Sequence, residues 1–89
     1  MADEDKIIPT INILDQLAED NSVPRNIRRG ATSARETLTK PGQALDVRVA
    51  SAIFLLDELA NDPNIPLHGR TLVWSIISQL EQINQALKK

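Results

Sequence analysis

The 89-residue sequence has no cysteine and no tyrosine, one phenylalanine, one tryptophan and three glycines. Without cysteine there is no disulfide framework, no thiolate metal site and no sulfur nucleophile, a pattern that fits a reducing cytoplasm. The glycines stand at positions 30, 42 and 69, too scattered for a phosphate-cradling loop. No Gly-x-Ser-x-Gly elbow is present. The single histidine, His68, has Ile65 three residues before it and Leu72 four residues after. A helical metal pair needs a ligand at such a position, so His68 reads as an ordinary surface or turn residue. The start, Met1-Ala2-Asp3-Glu4-Asp5-Lys6, is acidic, unlike a secretory or transit peptide. No apolar run approaches the ~20 residues of a membrane span. These absences point away from an enzyme and from any cofactor or metal, and toward a cytoplasmic protein. Carboxylates are plentiful but fall on polar faces and at helix ends, where nothing raises their pKa for acid–base work.

Apolar residues make up 42% of the chain. With only Phe54 and Trp74 aromatic, the core must be built from Leu, Ile, Val and Ala. Three groups of breakers divide the sequence: Asn21-Ser22-Val23-Pro24, Lys40-Pro41-Gly42 and Asp62-Pro63-Asn64-Ile65-Pro66. Between them apolar residues recur every three or four positions. The pattern predicts a single all-α domain over 1–89, with helices near 5–20, 23–39, 43–60 and 66–87. Pro9 belongs at the start of the first helix if that helix begins near Thr10, and kinks it if it begins at Asp3.

The second half repeats the first at an offset of 42. Leu14-Asp15-Gln16-Leu17-Ala18-Glu19-Asp20 aligns with Leu56-Asp57-Glu58-Leu59-Ala60-Asn61-Asp62, Pro24 with Pro66 and Arg28 with Arg70. Seven of the fifteen positions from 14 to 28 are identical. Amphipathic helices that agree by chance share only the hydrophobic beat, whereas here Asp, Pro and Arg agree as well. Two similar helical hairpins with short connections should close into an antiparallel four-helix bundle. Ser22 and Asn64 are the expected N-caps of the second and fourth helices. Arg28 and Arg70 are placed to reach back to Asp20 and Asp62.

With Leu56-Asp-Glu-Leu-Ala-Asn-Asp-Pro-Asn-Ile-Pro-Leu-His-Gly-Arg-Thr71 and Val23-Pro-Arg-Asn-Ile-Arg-Arg-Gly-Ala31 in view, the chain resembles uncharacterised protein family 0147, short archaeal proteins of about this length. The resemblance covers nearly the whole chain. It implies an archaeal cytoplasmic four-helix bundle. It implies no activity and assigns no site residue.

Two surfaces are candidates for function. Residues 1–22 carry six acids and one base, while residues 24–40 carry five bases and one acid. At about 100° per residue those five, Arg25, Arg28, Arg29, Arg35 and Lys40, share one sector of helix 2, opposite Ile27, Ala31, Ala34 and Leu38. That face can contact nucleic acid or simply be solvated and paired with acidic neighbours. The second surface is apolar. Val47 and Phe54 point away from the stripe of helix 3, and Trp74 lies about 120° from the stripe of helix 4. Displaced aromatics are typical of interfaces. The leading expectation is a non-enzymatic helical module that binds another protein or itself. The alternative is an RNA- or DNA-associated protein using helix 2. An enzyme with a carboxylate site assembled only in space ranks third.

Overall fold

The computed structural model describes residues 3–87, so expectations for Met1, Ala2, Lys88 and Lys89 lie outside the described residues. A short 3-10 turn, Asp3–Ile7, leads into α1 (Ile8–Ala18), followed by α2 (Arg25–Leu38), α3 (Leu45–Ala60) and α4 (Leu67–Leu87). No strand occurs among the described residues. Pro9 falls in the first turn of α1, where the missing N–H has no intrahelical partner to lose. The tight 3-10 geometry before it removes any need for a kink.

Each helix packs against the next, and α1 packs against α4 to close an antiparallel bundle. The molecule measures 37 × 20 × 18 Å, about one helix long and two helices wide. Its core follows the three-and-four spacing. Leu14 and Leu17 come from α1, Ile27, Ala31, Ala34 and Leu38 from α2, Val49, Ala52 and Leu56 from α3, and Val73, Ile76 and Leu80 from α4, all fully buried. Small residues set the distance between helices. A Cβ on Gly30 would sit 2.2 Å from Leu59 Cδ1, so glycine lets the Leu59 side chain lie across α2. Thr10, also buried, donates from Oγ1 to Gln79 Oε1 at 3.0 Å and ties α1 to α4. None of the helices is long and apolar enough to cross a membrane.

The three interhelical connections have equal length, 19–24, 39–44 and 61–66. In each, the residue before the helix provides the first carbonyl: Pro24 O accepts from Arg28 N, Ala44 O from Arg48 N and Pro66 O from Arg70 N. Pro24 is therefore the N-cap of α2, and no side chain caps it. The expectation that Ser22 caps α2 is corrected by this geometry, because the helix starts two residues later than a Ser22 cap requires. The middle connection turns through Gly42, whose φ of 86° lies where a Cβ is strained.

Candidate functional site

The two corners that share sequence are built alike. Asp20 Oδ1 accepts the backbone N–H of Ser22 at 2.9 Å, and Asp62 Oδ1 accepts that of Asn64 at 2.8 Å. Val23 N donates to Asp20 O and Ile65 N to Asp62 O. Each aspartate thus folds its own turn, the local bonding that Asp offers in place of helix. Val23 and Ile65 are the buried plugs of the two corners. Both lie 3.3 Å from where a Cβ on Gly69 would stand, so the absence of a side chain there lets the corners meet.

The corners also hold each other. Asn26 Nδ2 donates to Asp62 Oδ2 at 2.6 Å, and His68 Nε2 lies 3.2 Å from Asp20 Oδ2. Asn26 and His68 are equivalent at the 42-residue offset, as are Asp20 and Asp62. The exchange is reciprocal, as across a local two-fold axis: each corner offers a side chain to the other's aspartate. His68 thereby finds its partners 46 and 48 residues away rather than within its own helix, since Ser22 Oγ is also 2.9 Å from Nε2.

Ser22, His68 and Asp20 bring together the residue types of a hydrolytic triad, but their arrangement does not form one. In a triad the acid holds one imidazole nitrogen and the nucleophile uses the other. Here serine and aspartate meet the same nitrogen, and Ser22 Oγ is bonded to Asp20 Oδ1 at 2.5 Å. The Asp20 carboxyl is held below its ordinary range, chiefly by the Ser22 hydroxyl, then by the Ser22 N–H, with His68 contributing less. That shift locks the acid in its charged form and suits a structural clamp. A depressed folded pKa stabilises the fold above the unfolded value of 3.8 and stops doing so as pH falls through the lower folded value. The stability difference between wild type and Asp20→Asn, read by urea unfolding, should therefore be present above pH 3.8 and shrink below it. A gap unchanged in that acid range would remove the charged clamp.

The basic residues of helix 2 separate into three groups. Arg35 Nε pairs with Asp15 Oδ1 at 2.6 Å across α1 and α2, each side chain 44% exposed. Such exposed pairs contribute at most about 1 kcal/mol. Lys40 lies exposed in the next connection. Arg25, Arg28 and Arg29 alone come together, lining a shallow open depression with Ala18, Thr32 and Ser33. Arg28 reaches Asn21 Oδ1 at 3.4 Å rather than the Asp20 carboxylate, and Arg70 donates to backbone carbonyls, Ala60 O at 3.1 Å and Asp62 O at 3.4 Å. The expected arginine-to-aspartate pairing at these corners is replaced by contacts with amide and main-chain oxygens.

The apolar candidates are at the surface. Val47 is 47% exposed, Phe54 65% and Trp74 55%, and sequence reasoning missed two more, Leu67 at 74% and, on α1, Ile8 at 50%. Leu67, Trp74 and Glu81 are spaced by seven and form one stripe along α4. Glu81 lines the groove between α3 and α4, as does Ala50 on the opposite bank, four residues before Phe54. Val47 and Phe54 thus share the outer face of α3, and Leu67 and Trp74 share one stripe of α4. The seven-residue spacing of Leu67 and Trp74 was the available signal for Leu67. Among the described residues no group of three or more His, Cys, Asp or Glu is arranged to hold a metal ion.

Residues 1–83 match the model of an uncharacterised protein family, UPF0147. The chain belongs to UPF0147. A UPF0147 protein of Methanothermobacter thermautotrophicus is 55% identical over 73 residues, 82% of this chain and 72% of that one. One from Pyrococcus abyssi is 46% identical over 81 residues, 90% and 94% of the two chains. A crystal structure of a UPF0147 protein from Thermoplasma acidophilum superposes with a TM-score of 0.86 at 41% identity, covering 91% of this chain and 95% of the other. The UPF0147 bundle is therefore this chain's fold as well, and it brings no assigned activity with it.

Proposed function

We propose that this protein is a non-enzymatic, cytoplasmic helical module that docks on another protein through the outer side of α3 and α4, with a second copy of itself the first partner to test. The observation that supports this reading is that both aromatic residues of the chain, Phe54 and Trp74, stand outside the core, with Val47 and Leu67 also exposed on the same two helices. Isolated exposed apolar residues need no explanation. Four large ones in two rows on neighbouring helices leave apolar area uncovered in the monomer, and aromatics near the centre of an interface carry most of its energy. The groove is polar at one end, through Glu81, Asn84 and Gln85, as expected of a rim.

Sedimentation equilibrium tests the self-association form. Wild type should associate with increasing concentration. Trp74→Ala and Phe54→Ser should each shift it toward monomer by roughly tenfold or more in Kd, the effect of losing an anchor of about 1.4 kcal/mol or more. A wild type that stays monomeric at the highest attainable concentration ends the homo-oligomer form of the proposal.

A further inference from the structure

The three corners form an internal comparison. In each, an arginine stands ten residues beyond the last residue of the preceding helix: Arg28 after Ala18, Arg48 after Leu38 and Arg70 after Ala60. At the second and third corners the guanidinium turns back and closes that helix. Arg48 Nη1 donates to Leu38 O at 2.6 Å, and Arg70 Nε donates to Ala60 O at 3.1 Å. At the first corner the same residue does something else. Arg28 makes only the long contact to Asn21, and its Nε is buried with no hydrogen-bond partner. A buried donor without a partner costs about 1–3 kcal/mol.

The neighbours of Arg28 add to that cost. Arg25 stands three residues before Arg28 and four before Arg29, spacings at which like charges on a helix repel. Among the described residues no carboxylate pairs with Arg25, Arg28 or Arg29, whereas Arg35 holds Asp15 and Arg48 holds Glu4. Among the described residues, the three of the chain's six arginines with neither a carboxylate nor a main-chain carbonyl to hold are the three that line one depression. Arg25 and Arg29 are exposed, and the hydroxyl-bearing side chains of Thr32 and Ser33 complete the wall over Ala18.

We propose that Arg25, Arg28 and Arg29 form a binding site for the phosphodiester backbone of a nucleic-acid strand laid across the α1–α2 edge. Guanidinium groups hold phosphate oxygens through paired N–H donors, which the exposed Arg25 and Arg29 offer beside the half-buried Arg28. The depression is open, so it does not enclose a small ligand as a pocket does. No aromatic side chain lies on α2, so bases are not stacked there and the contact is to backbone rather than sequence. Three cations are fewer than the four to eight of a polybasic membrane segment. The chain's net charge of −2 gives no long-range attraction, so binding is local and modest. This face is separate from the α3–α4 groove, and either site stands without the other.

Fluorescence anisotropy of labelled single-stranded RNA and of duplex DNA, each in two unrelated sequences, tests the site across a salt series. Three phosphates neutralised give a slope of log K against log salt of about −2 for the single strand and about −2.7 for the duplex. The slopes should be the same for both sequences. Arg25→Gln and Arg29→Gln should each remove roughly a third of the slope, and Lys40→Gln, at the far end of α2, should leave it unchanged. Whichever probe binds more tightly identifies the source of the strand. Absence of binding to both probes at about 50 mM salt, or a slope that the Arg25→Gln/Arg29→Gln double variant leaves intact, overturns the proposal.

Discussion

Leu56→Ala is expected to lower the unfolding free energy by about 3–4 kcal/mol, and its counterpart in the first hairpin, Leu14→Ala, by about 2–3. Both side chains are fully buried, and the two are equivalent at the 42-residue offset, so the transfer part of the loss is the same. The cavity part differs. Leu56 sits in α3, which is packed closely by α2 on one side and α4 on the other. Leu14 sits in the shorter α1, whose contact with α4 is the least extensive of the four neighbouring helix pairs. A void beside the less confined helix collapses more fully, and the cost of truncation follows the void that remains. A chain of this size has roughly 4–13 kcal/mol in total, so the larger loss amounts to a quarter of it or more. With about 4–8 °C per kcal/mol, the melting temperature of Leu56→Ala should fall by at least 10 °C. Urea unfolding with unchanged m-values is the measurement. Losses below about 1 kcal/mol at both sites would mean that neither leucine is the core residue its burial indicates.

The helices were legible because their periodicity is regular. Ile27, Ala31, Ala34 and Leu38 can be read as one row from spacing alone, and they form one in space. The same arithmetic put Phe54 opposite the α3 stripe, and the structure leaves it exposed. What the letters concealed was the corner geometry. The repeat of Asp, Pro and Arg marked two corners, but the middle one reads Lys40-Pro41-Gly42-Gln43-Ala44 and shares only its length and Arg48 with them. Ser22 and Asn64 resemble helix caps because serine and asparagine favour that role. Their aspartate neighbours instead close the turn, and the helix begins later. The bonds from His68 to Asp20 and from Asn26 to Asp62 join segments tens of residues apart, which local pattern does not reach. Their equivalence was nevertheless present in the alignment, as an Asn opposite a His that identity scoring passes over. The acidic first segment supplies a partner for one cation, Asp15 for Arg35. It gave none for Arg25 or Arg29, because net sign along a segment does not say which face a charge occupies.

Arg48 is the residue whose role was least visible, and its removal is expected to be among the most damaging changes. Flanked by Val47 and Val49, it sits on the buried side of α3 with only 6% of its surface exposed. Its guanidinium donates from Nη1 to Leu38 O at 2.6 Å and from Nε to Gln43 O at 3.1 Å, and it forms a two-pronged ion pair with Glu4. One side chain therefore closes α2, shapes the second connection and anchors the 3-10 turn. Arg48→Met keeps the buried stem and deletes the donors. The carbonyl of Leu38 is then left without that partner inside the protein, at about 1–3 kcal/mol, and the Gln43 bond adds about 1. Glu4, 57% exposed, returns to water at little cost, so the penalty of a stranded charge does not apply. The expected loss is about 2–4 kcal/mol, most of it from the carbonyls. Glu4→Gln leaves the buried Arg48 guanidinium without its counter-charge but with both carbonyls and one amide oxygen as acceptors, and should cost about 1–3 kcal/mol. Combining the two changes in a double-mutant cycle separates the ion pair from the helix closure. If Arg48→Met costs nothing on the Glu4→Gln background, the carbonyl bonds contribute nothing. The contrast that leaves Arg28 free for another ligand, while Arg48 and Arg70 are occupied, then loses its energetic basis.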